Sequence, residues 1–166
     1  MSNSVIYLRD RADIHDVLMR YFNAADSGRK DLVRNCFTED VTAQYEGRPQ
    51  AHGVDALMAQ IALFDNLVSG ACRVSTHFAG NLVFKSQTEE LAETEHNVFA
   101  FLVNSDGTTV LARSLRYLDR LKRVNGEWRI FARLHTLDWS CEMPCTFARA
   151  FALKARDFPA DWPTGR

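Results

Sequence analysis

The sequence predicts an α+β fold in which helices pack on one face of a strongly curved, mostly antiparallel sheet. Two observations indicate this class. Before Cys72 most apolar residues recur at the three-and-four spacing of helices, whereas from Cys72 onward they alternate with the period of two that strands show. Helices that precede a long run of strands are typical of α+β domains.

The first helix is predicted over residues 10–26. Its apolar side chains form one stripe, made of Ile14, Val17, Leu18, Tyr21, Phe22 and Ala25. Asp10 and Asp13 indicate where it begins. The segment 26–28, Asp-Ser-Gly, indicates where it ends, because glycine tolerates the left-handed conformation with which a chain leaves a helix.

Shorter elements follow this helix. A second short helix is predicted over residues 32–37 and a short strand over residues 41–45. After a Gly-Arg-Pro turn, a third helix begins at Gly53. Its buried side is made of Leu57, Ile61 and Phe64.

Four long strands are predicted in the second half of the chain. Their alternating positions are Val74, Thr76 and Phe78; Val98, Ala100 and Leu102; Leu111, Leu115 and Tyr117; and Trp128, Ile130 and Ala132. The turns between them are short, and Asn125-Gly126 is typical of a two-residue hairpin with positive backbone angles. The strands should therefore form an antiparallel meander.

The last predicted element is a C-terminal aromatic tail over residues 142–166. Met143, Phe147 and Phe151 lie at helical spacing in it, and prolines follow them. The tail could cover the open end of the sheet or pack across a subunit interface. We interpret residues 1–166 as one domain whose core spans about 10–140, because a chain of 166 residues holds one substantial core.

The composition restricts the possible partners. The formal net charge of −1 gives no broad positive field for nucleic acid or for an anionic membrane, so a small neutral partner fits better. The first residues lack the hydrophobic region of a signal peptide, and no apolar run reaches membrane length. We therefore expect a soluble, cytoplasmic protein.

The cysteines and histidines predict neither disulfides nor a metal site. Without an export signal, Cys36, Cys72, Cys141 and Cys145 should be reduced thiols. Cys141 and Cys145 lack a second pair of ligands, and the five histidines show no HxH or HxxxH spacing. We expect no metal and no cofactor.

Three segments of the chain stand out, RYFNAADSGRKDL, STHFAGNLVF and RYLDRLKRVNGEWRIFAR. In order and spacing they resemble the SnoaL-like and scytalone dehydratase-like branch of the nuclear transport factor 2-like, or cystatin-like, superfamily. The resemblance implies a cone-shaped half-barrel in which N-terminal helices pack in a curved sheet around an internal pocket. It also implies a homodimer or homotrimer.

The resemblance implies a catalytic pair. Bile-acid dehydratases, scytalone dehydratases and hexachlorocyclohexane dehydrochlorinases pair an aspartate after the first helix with a histidine on the first long strand, which match Asp26 and His77. The tyrosine of the bile-acid dehydratases matches Tyr21, and the arginine of the dehydrochlorinases matches Arg133. A second acidic residue of the bile-acid enzymes falls at Ala100, so their exact chemistry is not implied.

The predicted pair has a plain chemical logic. A carboxylate on one ring nitrogen of histidine fixes the tautomer that leaves the other nitrogen basic. His77 would then remove a proton from carbon, and Tyr21 would donate a hydrogen bond to a leaving oxygen or a carbonyl. The alternatives are a turn-forming role for Asp26, a packing role for Tyr21 and a merely satisfied histidine at position 77.

Further candidates lie on the strands. His77 shares its strand face with Ser75, Ala79 and Asn81, whereas Val74, Thr76, Phe78 and Leu82 take the opposite face. Asn81 is therefore a candidate for substrate binding. His96 on the next strand is another, although its face depends on the register.

The final hairpin offers further polar residues. We interpret most of its charged side chains as cross-strand ion pairs on a solvated face; they are Arg113, Arg116, Asp119, Arg120 and Arg129. Arg133 is a candidate for holding a leaving anion or a substrate carbonyl. His135 is a candidate for substrate binding, and Asp138 and Trp139 could line the mouth of the pocket with it.

The leading functional hypothesis is a cofactor-independent lyase of the dehydratase type, or an isomerase, that acts on a hydrophobic cyclic small molecule. Two alternatives stay open. The domain could be a non-catalytic subunit that resembles the small subunit of aromatic-ring dioxygenases, or a protein that binds a small molecule without turnover. Convergence of Asp26 and His77 on a cavity would favour the enzyme.

Overall fold

The computed structural model describes residues 3–145, 160 and 162. In this part of the chain the helices are α1 (Asn3–Asp26), α2 (Lys30–Arg34), α3 (Val54–Gln60) and α4 (Ala62–Ser69). The strands are β1 (Phe37–Tyr45), β2 (Ala51–His52), β3 (Cys72–Gln87), β4 (Leu91–Asn104), β5 (Thr109–Val124) and β6 (Glu127–Pro144). The predicted α+β class is confirmed.

Helix α1 begins seven residues before the position that the sequence indicated. Asp10 does not mark the beginning; it lies inside the helix, 4% exposed, and its carboxylate accepts a hydrogen bond from Arg123 at 2.5 Å. The predicted end is right. Gly28 adopts a left-handed φ of 68°, and its N–H donates to the carbonyl of Ala25. Asp26 is therefore held at the last turn of the helix.

The short elements differ from the prediction in their bounds. Helix α2 ends at Arg34, so that Phe37 already opens β1. The third predicted helix is two helices, because Ile61 leaves helical geometry at ψ 84°. The two-residue strand β2, which was not predicted, pairs with β1.

The six strands form one sheet in the order β2-β1-β6-β5-β4-β3, which is curved and unclosed. The four long strands form the predicted antiparallel meander, whereas β1 joins β6 in parallel. Helix α1 packs against the inner face of this sheet. The largest fully buried core side chains are Phe37, Phe64, Ile14, Leu18, Leu57, Leu115, Leu121 and Ile130.

A bulge in β3 corrects one predicted face. The pairing with β4 shifts between Gly80 and Val83, and Asn81 takes a positive φ of 51° there. Because the bulge reverses the alternation, Leu82 packs against the core although it was predicted on the opposite face, and Asn81 is exposed.

Strand β6 is longer than predicted. Residues 142–144, which were assigned to a helical tail, pair with β5 as the end of this strand, so that Met143 lies opposite Val110. The rest of the predicted tail helix lies outside the described residues. No helix among the described residues is long and apolar enough to span a membrane.

Candidate functional site

A cavity of about 260 Å³ lies between the inner face of the sheet and the helices α1, α3 and α4. Its wall combines ten apolar or aromatic side chains with seven polar or charged ones among the described residues. The apolar or aromatic members are Tyr21, Ala25, Tyr45, Ile61, Ala62, Leu63, Ala100, Leu102, Leu115 and Tyr117. The other polar members are Glu46, Arg48, Gln60, Asn66, His77, Arg113 and His135. A mostly apolar wall with a few polar groups is typical of a small-molecule site.

Asp26 and His77 meet at this cavity. Nδ1 of His77 lies 2.6 Å from Oδ1 of Asp26, and the backbone N–H of His77 donates to Oδ2 at 2.7 Å. The hydroxyl of Ser75 donates to Oδ1 at 2.6 Å. The end of α1 supplies the carboxylate and β3 supplies its partners, so the fold itself builds the pair that the sequence predicted.

The environment keeps Asp26 ionised. Burial alone would raise its pKa, but the hydrogen bonds and charge of His77 and the hydroxyl of Ser75 lower the pKa below the usual value. A carboxylate at Nδ1 places the ring proton there and leaves Nε2 of His77 as the basic nitrogen. Phe22 stacks on the imidazole, with ring centroids 5.6 Å apart, and restricts its rotation.

An aromatic row crosses four strands on the inner face. It consists of His96, Tyr117, His135 and Tyr45, which are successive cross-strand partners on β4, β5, β6 and β1. His96 stacks on Tyr117 at 5.3 Å, and Tyr45 stacks on His135 at 4.9 Å. Three of the four, all except His96, line the cavity.

Two tyrosine hydroxyls meet at the cavity wall. The hydroxyl oxygens of Tyr21 and Tyr45 are 2.8 Å apart. Burial, together with the neighbouring tyrosines, raises the pKa of Tyr21 well above its usual value, so the phenol stays protonated. The pair can therefore donate a hydrogen bond to an oxygen or halogen of a bound molecule.

Arg133 lies one row deeper than the tyrosines and does not line this cavity. Its Nε and Nη2 donate to both carboxylate oxygens of Asp119 at 2.7 and 2.8 Å, and its Nη1 lies 3.5 Å from the hydroxyl of Tyr45. Both members of the ion pair are fully buried. The geometry therefore does not favour the predicted direct contact between Arg133 and a substrate, because the guanidinium is already paired with Asp119. Arg133 instead lies beside the hydroxyl of Tyr45 and supports it.

His135 lines the cavity as predicted from its strand position. The backbone N–H of Glu46 donates to its Nδ1 at 3.3 Å, which assigns the ring proton to Nε2. Burial, with the positive charges of Arg113 and Arg133, lowers the pKa of His135 to about 4. The ring is therefore neutral near pH 7 and offers a hydrogen-bond donor.

Besides Arg133, four residues that were predicted at the cavity or its mouth do not line it: His96, Asn81, Asp138 and Trp139. His96 is buried behind Tyr117, and neither of its ring nitrogens has a hydrogen-bond partner among the described residues. Asn81 is exposed at the β3 bulge. Trp139 is also absent from the wall, because a register shift beside Asp138 turns it to the outer face, against Phe99.

Tyr45, Gln60 and Arg113 are among the wall residues that sequence reasoning missed. Tyr45 stood at the end of a predicted strand without a role, and Gln60 lies in a helix judged only by its apolar side. Arg113 was assigned to a solvated face, although it shares its strand parity with Leu115 and Tyr117. That parity was the pattern that could have placed it inside.

Metal ligands are not gathered here. Among the described residues, no group of three or more His, Cys, Asp or Glu side chains is arranged to hold a metal ion. The four cysteines are free thiols; Cys36 and Cys72 are buried, and Cys141 is exposed.

Comparison with known proteins places the chain in a family. The family model of the SnoaL-like domain matches residues 7–134. An uncharacterized protein of Mycobacterium tuberculosis H37Rv is 27% identical over 133 residues, which cover 80% of this chain and 88% of that protein.

Solved structures share the fold across most of the chain. A candidate scytalone dehydratase from Novosphingobium aromaticivorans superposes with a TM-score of 0.75 at 18% identity, covering 98% of each chain. A type 2 hexachlorocyclohexane dehydrochlorinase superposes with a TM-score of 0.72 at 16% identity, and the match covers 85% of this chain and 93% of that protein. An NTF2-like protein with a cystatin-like fold, also from N. aromaticivorans, superposes with a TM-score of 0.69 at 23% sequence identity. The match covers 81% of this chain and 86% of that protein. At these identities the likeness establishes the fold, and the predicted cone is confirmed.

Proposed function

Because the chain belongs to the SnoaL-like domain family, we propose that it is a cofactor-independent lyase of the dehydratase type, or an isomerase, acting on a hydrophobic cyclic small molecule. The observation that carries the proposal is the 2.6 Å contact between Nδ1 of His77 and Asp26 at the wall of a largely apolar cavity. Two fold relatives bear the names of a dehydratase and a dehydrochlorinase, which supports an elimination.

In the proposed step, Nε2 of His77 takes a proton from a carbon of the substrate. The electrons of the broken C–H bond form a double bond, and the leaving group departs from the neighbouring carbon with the electrons of its own bond. Asp26 stabilises the imidazolium that forms, without taking the proton itself. A positioned base of this kind contributes roughly 10²- to 10⁴-fold to a rate.

The tyrosine pair supplies the second half of the step. Tyr21 and Tyr45 face the cavity from α1 and β1, and a hydroxyl there donates a hydrogen bond to the departing oxygen or halogen. If no leaving group is present, the same base can return the proton to another carbon, which gives an isomerisation.

The proposal is tested with the proton-transfer step itself. Cyclic β-hydroxy ketones are incubated with the protein in D2O, and NMR follows deuterium incorporation and enone formation. His77→Gln and Asp26→Asn should lower the rate about 10²-fold or more. His52→Gln and Asp40→Asn, which change an exposed histidine and an exposed carboxylate, are the matched controls and should leave it unchanged. Full activity in His77→Gln would overturn the proposal.

A second candidate is a subunit that mainly assembles with other chains. The observation that favours it is the aromatic outer face, where Phe78, Phe99 and Trp139 are 70%, 42% and 49% exposed. A scaffold has no need of a buried base and carboxylate at a cavity, which is why the enzyme remains the leading proposal. Both agree on self-association as a homodimer or homotrimer.

A further inference from the structure

Arg113 stands opposite the catalytic base on the inner face of the sheet. It is the cross-strand partner of Ala100, which is itself the partner of His77. His77 and Arg113 are therefore two strand spacings apart, which is roughly 10 Å between their Cα atoms. A small ring bound between them can therefore touch both side chains.

Among the described residues, Arg113 lacks the acidic partner that its neighbours have. The other arginines of the last hairpin each pair with a carboxylate: Arg116 with Glu95, Arg120 with Glu93, Arg123 with Asp10, Arg129 with Glu127 and Arg133 with Asp119. Among the described residues, Arg113 makes no side-chain hydrogen bond or ion pair. Its strand partners on the inner face, Ala100 and Ser140, offer no charge.

Among the described residues, no ion pair compensates this cation. The charged side chains of the described cavity wall are Arg113, Arg48 and Glu46, of which Arg48 and Glu46 are exposed. His135 is held neutral, and the charge of Arg113 contributes to that. The N–H groups of a half-buried guanidinium that has no acceptor can donate two parallel hydrogen bonds to a carboxylate.

We propose that Arg113 binds a carboxylate of the substrate, so that the substrate class is a cyclic carboxylic acid whose reacting carbon lies toward His77. The role as a substrate contact rests on the proposed function. The binding itself requires no turnover, which makes it testable separately.

The test uses two probes of the same shape, 2-naphthoate and its neutral amide 2-naphthamide. NMR titrations at pH 7 follow the histidine ring signals, since His77 and His135 line the cavity. We expect 2-naphthoate to bind the wild type about tenfold more tightly than the amide, and Arg113→Gln to remove this difference while amide binding stays the same. Arg113→Lys should retain part of it.

The control is Arg116→Gln. Arg116 lies on the same strand with its side chain on the other face, and its loss changes the net charge equally. It should keep the tenfold preference. Equal binding of the two probes to the wild type, or an unchanged preference in Arg113→Gln, would overturn the assignment while leaving the elimination intact. Retained turnover in His77→Gln would instead overturn the elimination and leave a carboxylate-binding cavity.

Discussion

His77 donates two hydrogen bonds to the carboxylate of Asp26, one from its backbone N–H and one from its ring, at 2.7 and 2.6 Å. One residue thus engages both carboxylate oxygens, and the orientation of the imidazole is tied to the backbone of β3. This arrangement preorganises the imidazole for the proposed role as a base, because neither side chain has to reorient when a substrate enters.

Asp26→Asn should destabilise the protein at neutral pH. The folded-state pKa of Asp26 lies below its usual value, so the carboxylate contributes stability above the unfolded pKa, and that contribution disappears as the pH falls through the folded value. We expect a loss of about 1–3 kcal/mol at pH 7 that shrinks toward pH 3. Urea unfolding across this range measures it. A difference that is constant with pH would contradict the assignment.

His96→Phe should make the protein less sensitive to acid. Burial is the main cause that lowers the pKa of His96 to about 4, so between about 6.5 and 4 the unfolded chain binds a proton that the folded chain does not. Stability therefore falls as the pH drops through this window, by at most roughly 3 kcal/mol. His96→Phe should remove this contribution to the loss of stability in acid. Unfolding curves at pH 7 and pH 5 measure the free energy of unfolding of both proteins. His15→Phe, at an exposed histidine, is the control.

Breaking the buried pair of Arg133 and Asp119 should cost more than replacing it. Arg133→Met leaves a buried carboxylate without its partner and should lose about 3–5 kcal/mol. The double variant with Asp119→Leu should recover much of this loss, and a double-mutant cycle from urea unfolding measures the coupling. Additive losses would show that the two side chains act independently.

The outer face should carry the self-association. Phe78, Phe99 and Trp139 lie in one row across the sheet, since Phe78 pairs with Phe99, and Ser114 pairs with both Phe99 and Trp139. Phe78→Glu with Trp139→Glu should shift the protein from a homodimer or homotrimer to a monomer in size-exclusion chromatography with light scattering. Val68→Glu, at an 86% exposed valine of α4, should not. A monomeric wild type at high concentration would contradict this expectation.

The order of the long elements could be predicted from the residue pattern, and the meeting of Asp26 and His77 from the family resemblance. The Asp-Ser-Gly pattern places Asp26 at the end of the helix, and the alternation before the bulge places His77 on the inner face, but neither pattern alone pairs the two residues. Asn81 and Trp139 were misplaced because one-residue bulges reverse the alternation, and no residue pattern marked them. The role of Arg113 depends on which carboxylates lie across the neighbouring strands, which only the register decides.

The parallel pairing of β1 with β6 affects how the protein matures during synthesis. Strand β1, with the helix that carries Asp26 just before it, joins the sheet through the final strand, so the beginning of the chain must wait for nearly all of the rest. Contacts of such sequence separation form slowly. Until β6 has been synthesised, β1 lacks its parallel partner, so the partly folded chain exposes an unpaired strand edge.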